Sequence, residues 1–346
     1  MPDKPIADLL ERALSARDAL FDAQHQTAFR LFNGFTEGHS LLVIDLYAST
    51  IVLHNYAYSP SEGEAAVHAA LQLLRTRLPW VHTIVLKTRN GSTESEKRGT
   101  VVHGSTPDRR VLEHGIWYTI DLLMNRDASF YLDTRQLRQW IAGHLKEKTV
   151  LNTFACTGSL GVAAQAGGAA RVVHLDRNRA FLNLAKTSYS LNGFPVRRRD
   201  FQTGDFWAHA SRLKRSGEWF DCVLLDPPFF AAGMKGTVDM VNNSVRLINK
   251  VRPLINDGGY LVAVNNALFL SGKDYISILE SLCADGYLQI EELITVPEDF
   301  TGYSQTRLRS LPVDPAPFNH ATKIAVLRVR RKAQPADGRP IEGDTP

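Results

Sequence analysis

The sequence is poor in cysteine and has no long apolar run, and both absences narrow its function. Its 346 residues contain three cysteines, at positions 156, 222 and 283. They are too few and too widely spaced for a disulfide framework or a zinc cluster, so we expect a reducing compartment and no metal site. No segment approaches the roughly 20 apolar residues that span a bilayer, and the first 21 residues lack the pattern of a signal peptide. We therefore expect a cytoplasmic protein that does not enter a membrane.

The sequence also has no strong excess of charge of either sign. There are 40 lysines and arginines and 36 aspartates and glutamates, which gives a net charge of +4. This balance permits a polyanionic partner without requiring one. Cations gather at 197–199, at Arg307 and Arg309, and at 323–332, but solvated surface clusters of this kind are common. The charge therefore does not identify the partner. The oligomeric state is also open, and a homodimer is one of the alternatives.

The first third of the chain predicts a helix followed by a small α+β unit. Residues 1–27 carry apolar side chains at helical spacing. Residues 28–122 predict strands at 41–47, 50–57, 83–89 and 115–123, a helix at 62–78 and a loop near 90–105. At the other end, residues 333–346 have almost no large apolar side chains, so we expect a disordered tail.

Between these parts, residues 123–332 alternate short apolar strands with helical stretches. The strand segments are TVLNTFA, RVVHLD, PVRRRD, DCVLLDPP and GYLVAVNN, and two further strands, at 290–300 and 323–332, form an antiparallel closing hairpin. Such alternation predicts a Rossmann-like α/β fold, in which helices cover both faces of a mostly parallel sheet. Ligands of this fold bind outside the carboxyl ends of the strands.

The first two of these strands end in a pattern typical of nucleoside binding. Gly158 and Gly161 follow the first strand and allow a tight turn whose backbone lies close to a ligand. Asp176 ends the second strand, 18 residues after Gly158, where a carboxylate can accept hydrogen bonds from ribose hydroxyls. The alternative is an ordinary helix start with an aspartate near its positive end. We favour a ligand that contains adenosine.

Two cofactor classes contain adenosine and fit this fold, a dinucleotide and S-adenosylmethionine. A pyrophosphate needs the spacing G-x-G-x-x-G, whereas this turn reads FACTGSLG, with bulkier residues at the first position. The turn therefore favours S-adenosylmethionine. After the third strand, Asp205 could accept from the adenine amino group and Phe206 could stack on the base, although the same residues could form a simple turn.

The fourth strand runs directly into Asp226, Pro227, Pro228, Phe229 and Phe230. Two consecutive prolines prevent a helix or a further sheet ladder, so they make the strand exit rigid. The exit then presents carbonyl groups, a carboxylate and an aromatic ring at the ligand edge of the sheet. Such a group suits a planar base, which accepts stacking and hydrogen bonds together.

These segments resemble a known family. NTFACTGSLG, HLDRN and LLDPPFF are similar to motifs of class I S-adenosylmethionine-dependent methyltransferases, and DPPF is similar to the motif of nucleic-acid nitrogen methylators. Upstream, EHGIWYTIDLLMNRDASFYLDTRQLRQWI, the small α+β unit and the leading helix resemble the bacterial 23S ribosomal RNA methyltransferases of the RlmI and RlmK groups. The resemblance implies a seven-stranded sheet, S-adenosylmethionine as cofactor and RNA, from the ribosome, as partner.

The motifs and the resemblance together assign the site residues. We expect the cofactor to be bound by Tyr131, Asp133, Arg135, Asn152, Phe154, Cys156, Thr157, Gly158, Asp176, Arg177, Asp205, Phe206 and Asp226. The catalytic segment comprises Asp226, Pro227, Pro228 and Phe229, and the substrate contacts are Phe229, Phe230, Asn265 and Asn266.

The chain departs from the RlmI pattern in two ways. RlmI-type enzymes carry an RNA-binding PUA domain before the leading helix, and this sequence has no room for one, so we expect RNA to be bound elsewhere. They also carry a cysteine after the fifth strand, where this chain has Asn265 and Asn266. Paired asparagines resemble the RlmK pattern, which implies methylation of guanine N7, with an exocyclic amine as a second option. The rivals are a different acceptor (5-methylcytosine, another RNA, a protein or a small molecule) and a noncatalytic RNA-binding factor.

Overall fold

The computed structural model describes residues 5–228, 230–233 and 236–331. Its first part is a five-stranded sheet covered by two helices. The elements are α1 (Ile6–Ala16), β1 (Ala28–Asn33), α2 (Gly34–Glu37), β2 (Leu42–Tyr47), β3 (Thr50–Asn55), α3 (Glu64–Arg77), β4 (Thr83–Thr88), α4 (Glu94–Arg98) and β5 (Thr100–His103). The strands lie in the order β1-β2-β3-β4-β5, and only β3 and β4 run parallel. We call this the small sheet.

The small sheet and α1 share one hydrophobic core. Leu9, Leu10, Ala13 and Leu14 lie on one face of α1 and are buried against the sheet and α3. Their spacing of three and four residues is the helical period, which is why the sequence pattern predicts the helix correctly. All six residues of β2 are buried, so this strand is covered on both faces.

Two sequence predictions in this part need correction. The strand expected at 115–123 is present but shorter, as β7 (Ile116–Thr119), and it forms a hairpin with β6 (Arg110–Glu113), which the sequence analysis did not predict. His114 and Gly115 have positive φ angles of 51° and 77°, the conformation that closes two-residue hairpins. The expected loop near 90–105 contains α4 and β5, because Thr93 and Glu96 form a capping box that starts a helix.

The second part is a seven-stranded sheet with helices on both faces, as the sequence predicts. Its elements are α5 (Arg135–His144), β8 (Thr149–Thr153), α6 (Ser159–Ala166), β9 (Arg171–Asp176), α7 (Arg179–Leu191), β10 (Phe201–Thr203), α8 (Phe206–Arg215), β11 (Phe220–Leu225), β12 (Phe230–Gly233), β13 (Gly236–Asp239), α9 (Met240–Val251), β14 (Ile255–Asn265), α10 (Gly272–Cys283), β15 (Leu288–Ile294), α11 (Glu298–Thr301) and β16 (Lys323–Val329). The order is β10-β9-β8-β11-β14-β16-β15. Only β16 runs antiparallel to its neighbours, so the expected Rossmann-like fold with a closing hairpin is confirmed.

The third strand of this sheet lies later in the chain than its sequence indicates. We expected it at 195–200, but the segment forms a short turn and β10 begins at Phe201. Phe201 is buried and pairs with His174 of β9, whereas residues 197–199 are exposed. Burial of one aromatic ring therefore sets the start of this edge strand. Across the described ranges, no helix is long and apolar enough to cross a membrane.

A chain of buried ion pairs connects the two sheets. Arg17, at the end of α1, makes two 3.0 Å hydrogen bonds to the carboxylate of Glu37 in α2. Arg17 also donates to the carbonyl of Asp299 in α11, which belongs to the second part. Asp299 accepts in turn from Arg135 of α5 at 2.7 Å and from the backbone N–H of Arg30 in β1. The division of the chain at residues 27 and 122 stays a prediction, since these contacts cross both positions.

Removing one charge from this chain should destabilise the whole fold. Arg17 and Glu37 are 0% and 1% exposed, so Glu37→Gln leaves a buried guanidinium without its counter-charge. We expect the free energy of unfolding to fall by about 3–5 kcal/mol, measured by urea denaturation. The matched control is Glu11→Gln, which breaks the exposed pair with Arg77 and should cost less than about 1 kcal/mol. Equal losses in the two variants would contradict this account.

Candidate active site

The polar residues predicted from the motifs gather at one edge of the seven-stranded sheet. The carboxyl ends of β8, β9, β10, β11 and β14 lie at this edge because these five strands are parallel. Asp176 ends β9, Asp226 directly follows β11, and Asp205 lies two residues after β10. The fold therefore brings together residues that lie far apart in the sequence.

The turn after β8 is built from positive φ angles. Phe154, Cys156 and Gly158 have φ values of 51°, 49° and 79°. Gly158 also packs so closely on α7 that an added Cβ would lie 2.5 Å from the Cβ of Ala185, so the position requires glycine twice over. Thr157 connects the turn to the segment before α5, since its hydroxyl donates to the carbonyl of Ser129 at 2.5 Å.

Asp176 ties this turn to the end of β9. Its carboxylate accepts from the backbone N–H groups of Cys156 at 2.8 Å and Asn178 at 2.7 Å. Burial raises its pKa, while these N–H groups and the exposed Arg177 oppose the rise. A carboxylate has about four acceptor positions, so Asp176 keeps the capacity to accept from two ribose hydroxyls.

Asn152 lies one layer below the turn, in a buried polar group. It is 1% exposed, and its side-chain nitrogen lies 3.4 Å from Nδ1 of His174. Burial lowers the pKa of His174 to about 3, so its ring is neutral. An added Cβ at Gly161 would lie 2.3 Å from this ring. Gly161, which we expected to admit a ligand, is therefore required for packing on His174.

The structure gives Asp205 and Phe206 local partners. Asp205 caps α8 by accepting from the backbone N–H of Ala208 at 3.1 Å. Phe206 is 4% exposed and stacks on Phe154, with ring centroids 4.7 Å apart. These are the contacts of the simple-turn alternative. Of this pair of rings, Phe154 is the less buried.

The segment after β11 presents a carboxyl group with an unusual proton affinity. Burial raises the pKa of Asp226 to about 7, and the nearby charge of Asp133 adds to the rise. Pro227 is buried and Pro228 is exposed, so the chain turns outward across these two residues. Phe229 lies outside the described residues, and the side chain of Phe230 does too, so their predicted contacts with a base stay predictions.

The two asparagines at the end of β14 differ in their hydrogen bonds. Asn265 is fully buried, donates to Ser244 at 3.2 Å and accepts from the backbone N–H of Ala267 at 2.9 Å. Its amide is therefore used to close the strand. Asn266 is half-buried, and its Oδ1 has no hydrogen-bond partner among the residues that the structure describes. Of the two amide oxygens, that of Asn266 is the one without a partner there, and the atom is buried.

The segment 131–135 divides between two tasks. Arg135 pairs with Asp299 in the ion-pair chain. Asp133 instead accepts from the hydroxyl of Thr322 at 2.8 Å. Asp133 and Tyr131, which is 40% exposed, line a cavity between the small sheet and the seven-stranded sheet.

This cavity has a volume of about 450 Å³, and the sequence analysis did not anticipate it. Its floor is made by the small sheet, where Arg30 holds Asp45 through bonds of 2.7 and 3.1 Å and His54 lies 3.3 Å from the same carboxylate. Two signals could have shown it, since Asp45 and His54 interrupt otherwise apolar strands. His320, to which the sequence assigned no role, lines the opposite side.

The residues at this edge suit a cationic nucleoside. Asp133, Asp176 and Asp226 supply acceptors for hydroxyl groups and negative charge for a sulfonium. The turn at Gly158 brings backbone close to the end of β9, without the phosphate cradle that a dinucleotide needs. This donor set fits S-adenosylmethionine. A seven-stranded sheet in which one strand, β16, is reversed, with acidic residues at the strand ends, defines a class I methyltransferase.

Comparisons with known proteins agree with this class. A model of the S-adenosylmethionine-dependent methyltransferase family matches residues 79–305. The chain belongs to this family: it is an enzyme, and S-adenosylmethionine is its cofactor.

Two relatives named as ribosomal RNA large subunit methyltransferases support the resemblance to RlmI. The chain is 28% identical over 298 residues to ribosomal RNA large subunit methyltransferase I of Aeromonas salmonicida. The aligned region covers 84% of this chain and 74% of the relative. It is 30% identical over 302 residues, with the same coverage, to YwbD of Bacillus subtilis, provisionally named as a ribosomal RNA large subunit methyltransferase. A solved Streptococcus mutans protein described as an S-adenosylmethionine-dependent methyltransferase has a TM-score of 0.79 at 20% identity, covering 94% of this chain and 81% of that one. The last likeness shows the fold.

The proton affinity of Asp226 can be measured directly. Because its pKa is raised to about 7, its carboxyl carbon should titrate near neutral pH, protonated below and ionised above. We expect this midpoint in NMR titrations of the full chain labelled with ¹³C-aspartate, with the signal assigned by its loss in Asp226→Asn. Asp133→Asn removes a neighbouring negative charge and should lower the midpoint. A midpoint at the ordinary value of 3.8 would show that Asp226 is hydrated.

Proposed function

We propose that this enzyme methylates a base of RNA, in the large ribosomal subunit, at a ring nitrogen such as guanine N7. The observation that carries the proposal is the link between Asp226 and Asp133: Asp133 lines the 450 Å³ cavity, and its charge contributes to the raised pKa of Asp226. The names of these relatives give ribosomal RNA as their substrate. Ribosomal RNA as acceptor also supports a cytoplasmic location.

The chemistry asks little of the protein beyond placement. When bound, S-adenosylmethionine supplies a methyl group on a positively charged sulfur. Guanine N7 has an exposed lone pair and loses no proton on methylation, so no general base is required. The protein has to hold the base in line and exclude water. Asp226 is suited to this task because two prolines fix the chain beside it and its ionised form accepts a hydrogen bond from the base.

The cofactor contacts follow from the same geometry. We assign to Asp176 the contact with the ribose of the cofactor. The turn at 154–158 lies beside Asp176 and is assigned to the neighbouring part of the nucleoside. Phe154, the less buried ring of its stacked pair, is the better candidate for contact with adenine than Phe206. Arg135 and Asn152 act from behind the site, through the ion-pair chain and through His174 respectively.

Methylation of a base carbon through a cysteine is disfavoured. That reaction needs a thiolate, but burial raises the pKa of Cys156 to about 12 and also raises the pKa values of Cys222 and Cys283. Cys222 lies inside β11 with no exposed surface. All three thiols therefore stay protonated at neutral pH. A nitrogen acceptor needs none of them.

Replacing Asp226 should separate chemistry from cofactor binding. We expect Asp226→Ala to lower methyl transfer at least about a hundredfold, while affinity for the uncharged product S-adenosylhomocysteine changes little in calorimetry. The assay uses tritiated S-adenosylmethionine and ribosomal RNA from cells that lack the gene, followed by mass mapping of nucleosides. Asp8→Ala, on the exposed side of α1, is the matched control. Label in protein, or full activity of Asp226→Ala, would overturn the proposal.

Removing the cysteines should leave the reaction intact. Cys156→Ser and Cys283→Ala should each retain methyl transfer within about threefold, and Cys222→Ala should differ mainly in stability, because truncating a buried side chain leaves a cavity. The measurement is the initial rate in the same RNA assay, with thermal unfolding in parallel. Loss of activity in a variant that keeps its fold and its affinity for S-adenosylhomocysteine would instead indicate a covalent mechanism.

A further inference from the structure

Thr322 is hydrogen-bonded to two polar residues that line the cavity, Asp133 and His320. Its hydroxyl donates to Oδ2 of Asp133 at 2.8 Å, and its backbone N–H donates to Nδ1 of His320 at 3.0 Å. Asp133 and His320 both line the cavity. They come from segments nearly 190 residues apart in the chain, so only the fold pairs them.

The hydrogen bond from Thr322 also determines the tautomer of His320. Burial lowers the pKa of this ring to about 3, so it is neutral at physiological pH. Since Nδ1 accepts a backbone N–H, the single ring proton lies on Nε2. His320 is thus a fixed donor. Asp133 is an acceptor in this arrangement, because its Oδ2 accepts from the Thr322 hydroxyl. Burial raises its pKa, and the Thr322 hydroxyl and the charges of Arg30 and Arg138 oppose that rise.

The rest of the cavity suits a flat, polar heterocycle. Its volume of about 450 Å³ lies in the range of small-ligand sites. The ring of Phe300 forms part of the wall, with the guanidinium of Arg30 3.7 Å from its centroid. Asn33 also lines the cavity, is 3% exposed, and its Oδ1 has no hydrogen-bond partner within the described part of the chain. Phe269, 79% exposed, stands at the cavity as a platform for stacking.

We propose that this cavity receives the acceptor base, that the base is guanine, and that Asp133 and His320 read its Watson–Crick edge. Guanine presents two adjacent donors, N1–H and the 2-amino group, followed by the acceptor O6. A carboxylate next to an N–H donor matches this order, whereas adenine, cytosine and uracil have no two adjacent donors. The contacts leave N7 uncovered. This inference rests on the proposed function, because it names the substrate of the same site, and it moves Asp133 from the cofactor to the acceptor.

The test measures nucleotide binding, independently of turnover. The probes are GMP, IMP and AMP, titrated by ligand-observed NMR into the full chain saturated with S-adenosylhomocysteine. IMP lacks only the 2-amino group, and AMP lacks N1–H and O6. We expect GMP to bind at least about fivefold more tightly than IMP, and AMP to bind more weakly still. Equal affinities, or no binding of GMP at millimolar concentration, overturn the proposal.

Two variants should affect these affinities in different ways. Asp133→Asn should abolish the preference for GMP over IMP, because the lost carboxylate recognises the 2-amino group. His320→Phe should weaken GMP and IMP equally, by about fivefold, because both carry O6, and His320→Gln, which keeps a donor, should recover part of the loss. Asp8→Asn and His68→Gln, both exposed, are the matched controls. Thermal unfolding verifies that each variant folds.

The outcomes separate this inference from the proposed function. If Asp133→Asn weakens S-adenosylhomocysteine as much as GMP, Asp133 belongs to the cofactor site and the inference fails. If ribosomal RNA accepts methyl groups but the GMP preference is unchanged in both variants, the function stands and the inference fails. If the nucleotide pattern holds while RNA accepts no methyl group, the pocket stands and the proposed acceptor fails.

Discussion

The chain of buried ion pairs from Arg17 to Arg135 is the constraint on which the site depends. The chain consists of four residues from four helices: Arg17 at the end of α1, Glu37 in α2, Asp299 in α11 and Arg135 in α5. Buried charges are stable only when they are paired with good geometry, so the small sheet has one position against the seven-stranded sheet. That position places residues of β1, β2 and β3 and the 131–133 segment around one cavity.

Burial also sets the proton affinities of several groups in this region. The same low-dielectric environment raises the pKa of Asp226 to about 7, lowers that of His320 to about 3 and keeps the three thiols protonated. A carboxyl group, a neutral imidazole and inert cysteines suit the proposed reaction, in which the protein positions a base. Thr322 connects His320 to Asp133, since its hydroxyl donates to the carboxylate and its backbone amide donates to the ring.

Sequence patterns succeeded where one local rule governs structure. Alternating strands and helices predicted the seven-stranded fold, and the Asp-Pro-Pro exit predicted the position of Asp226. They failed where a competing contact decides: the turn at His114 and Gly115 pairs the expected strand with a strand that was not predicted, and burial of Phe201 moved the third strand. Strand β1 was missed altogether, since Arg30 interrupts its apolar run. Gly161 has the spacing of a ligand turn, but its physical reason is the ring of His174.

The sequence by itself determined the fold class, the cofactor class and the edge of the sheet where ligands bind, because these follow from short-range periodicity and from residues that directly follow strands. Tertiary structure alone decided which of those residues face a ligand. Asp133 and Arg135 are two positions apart, yet one lines the cavity and the other pairs with Asp299. Their partners lie more than 160 residues away, and no local pattern encodes a contact whose free energy depends on how two separate sheets pack.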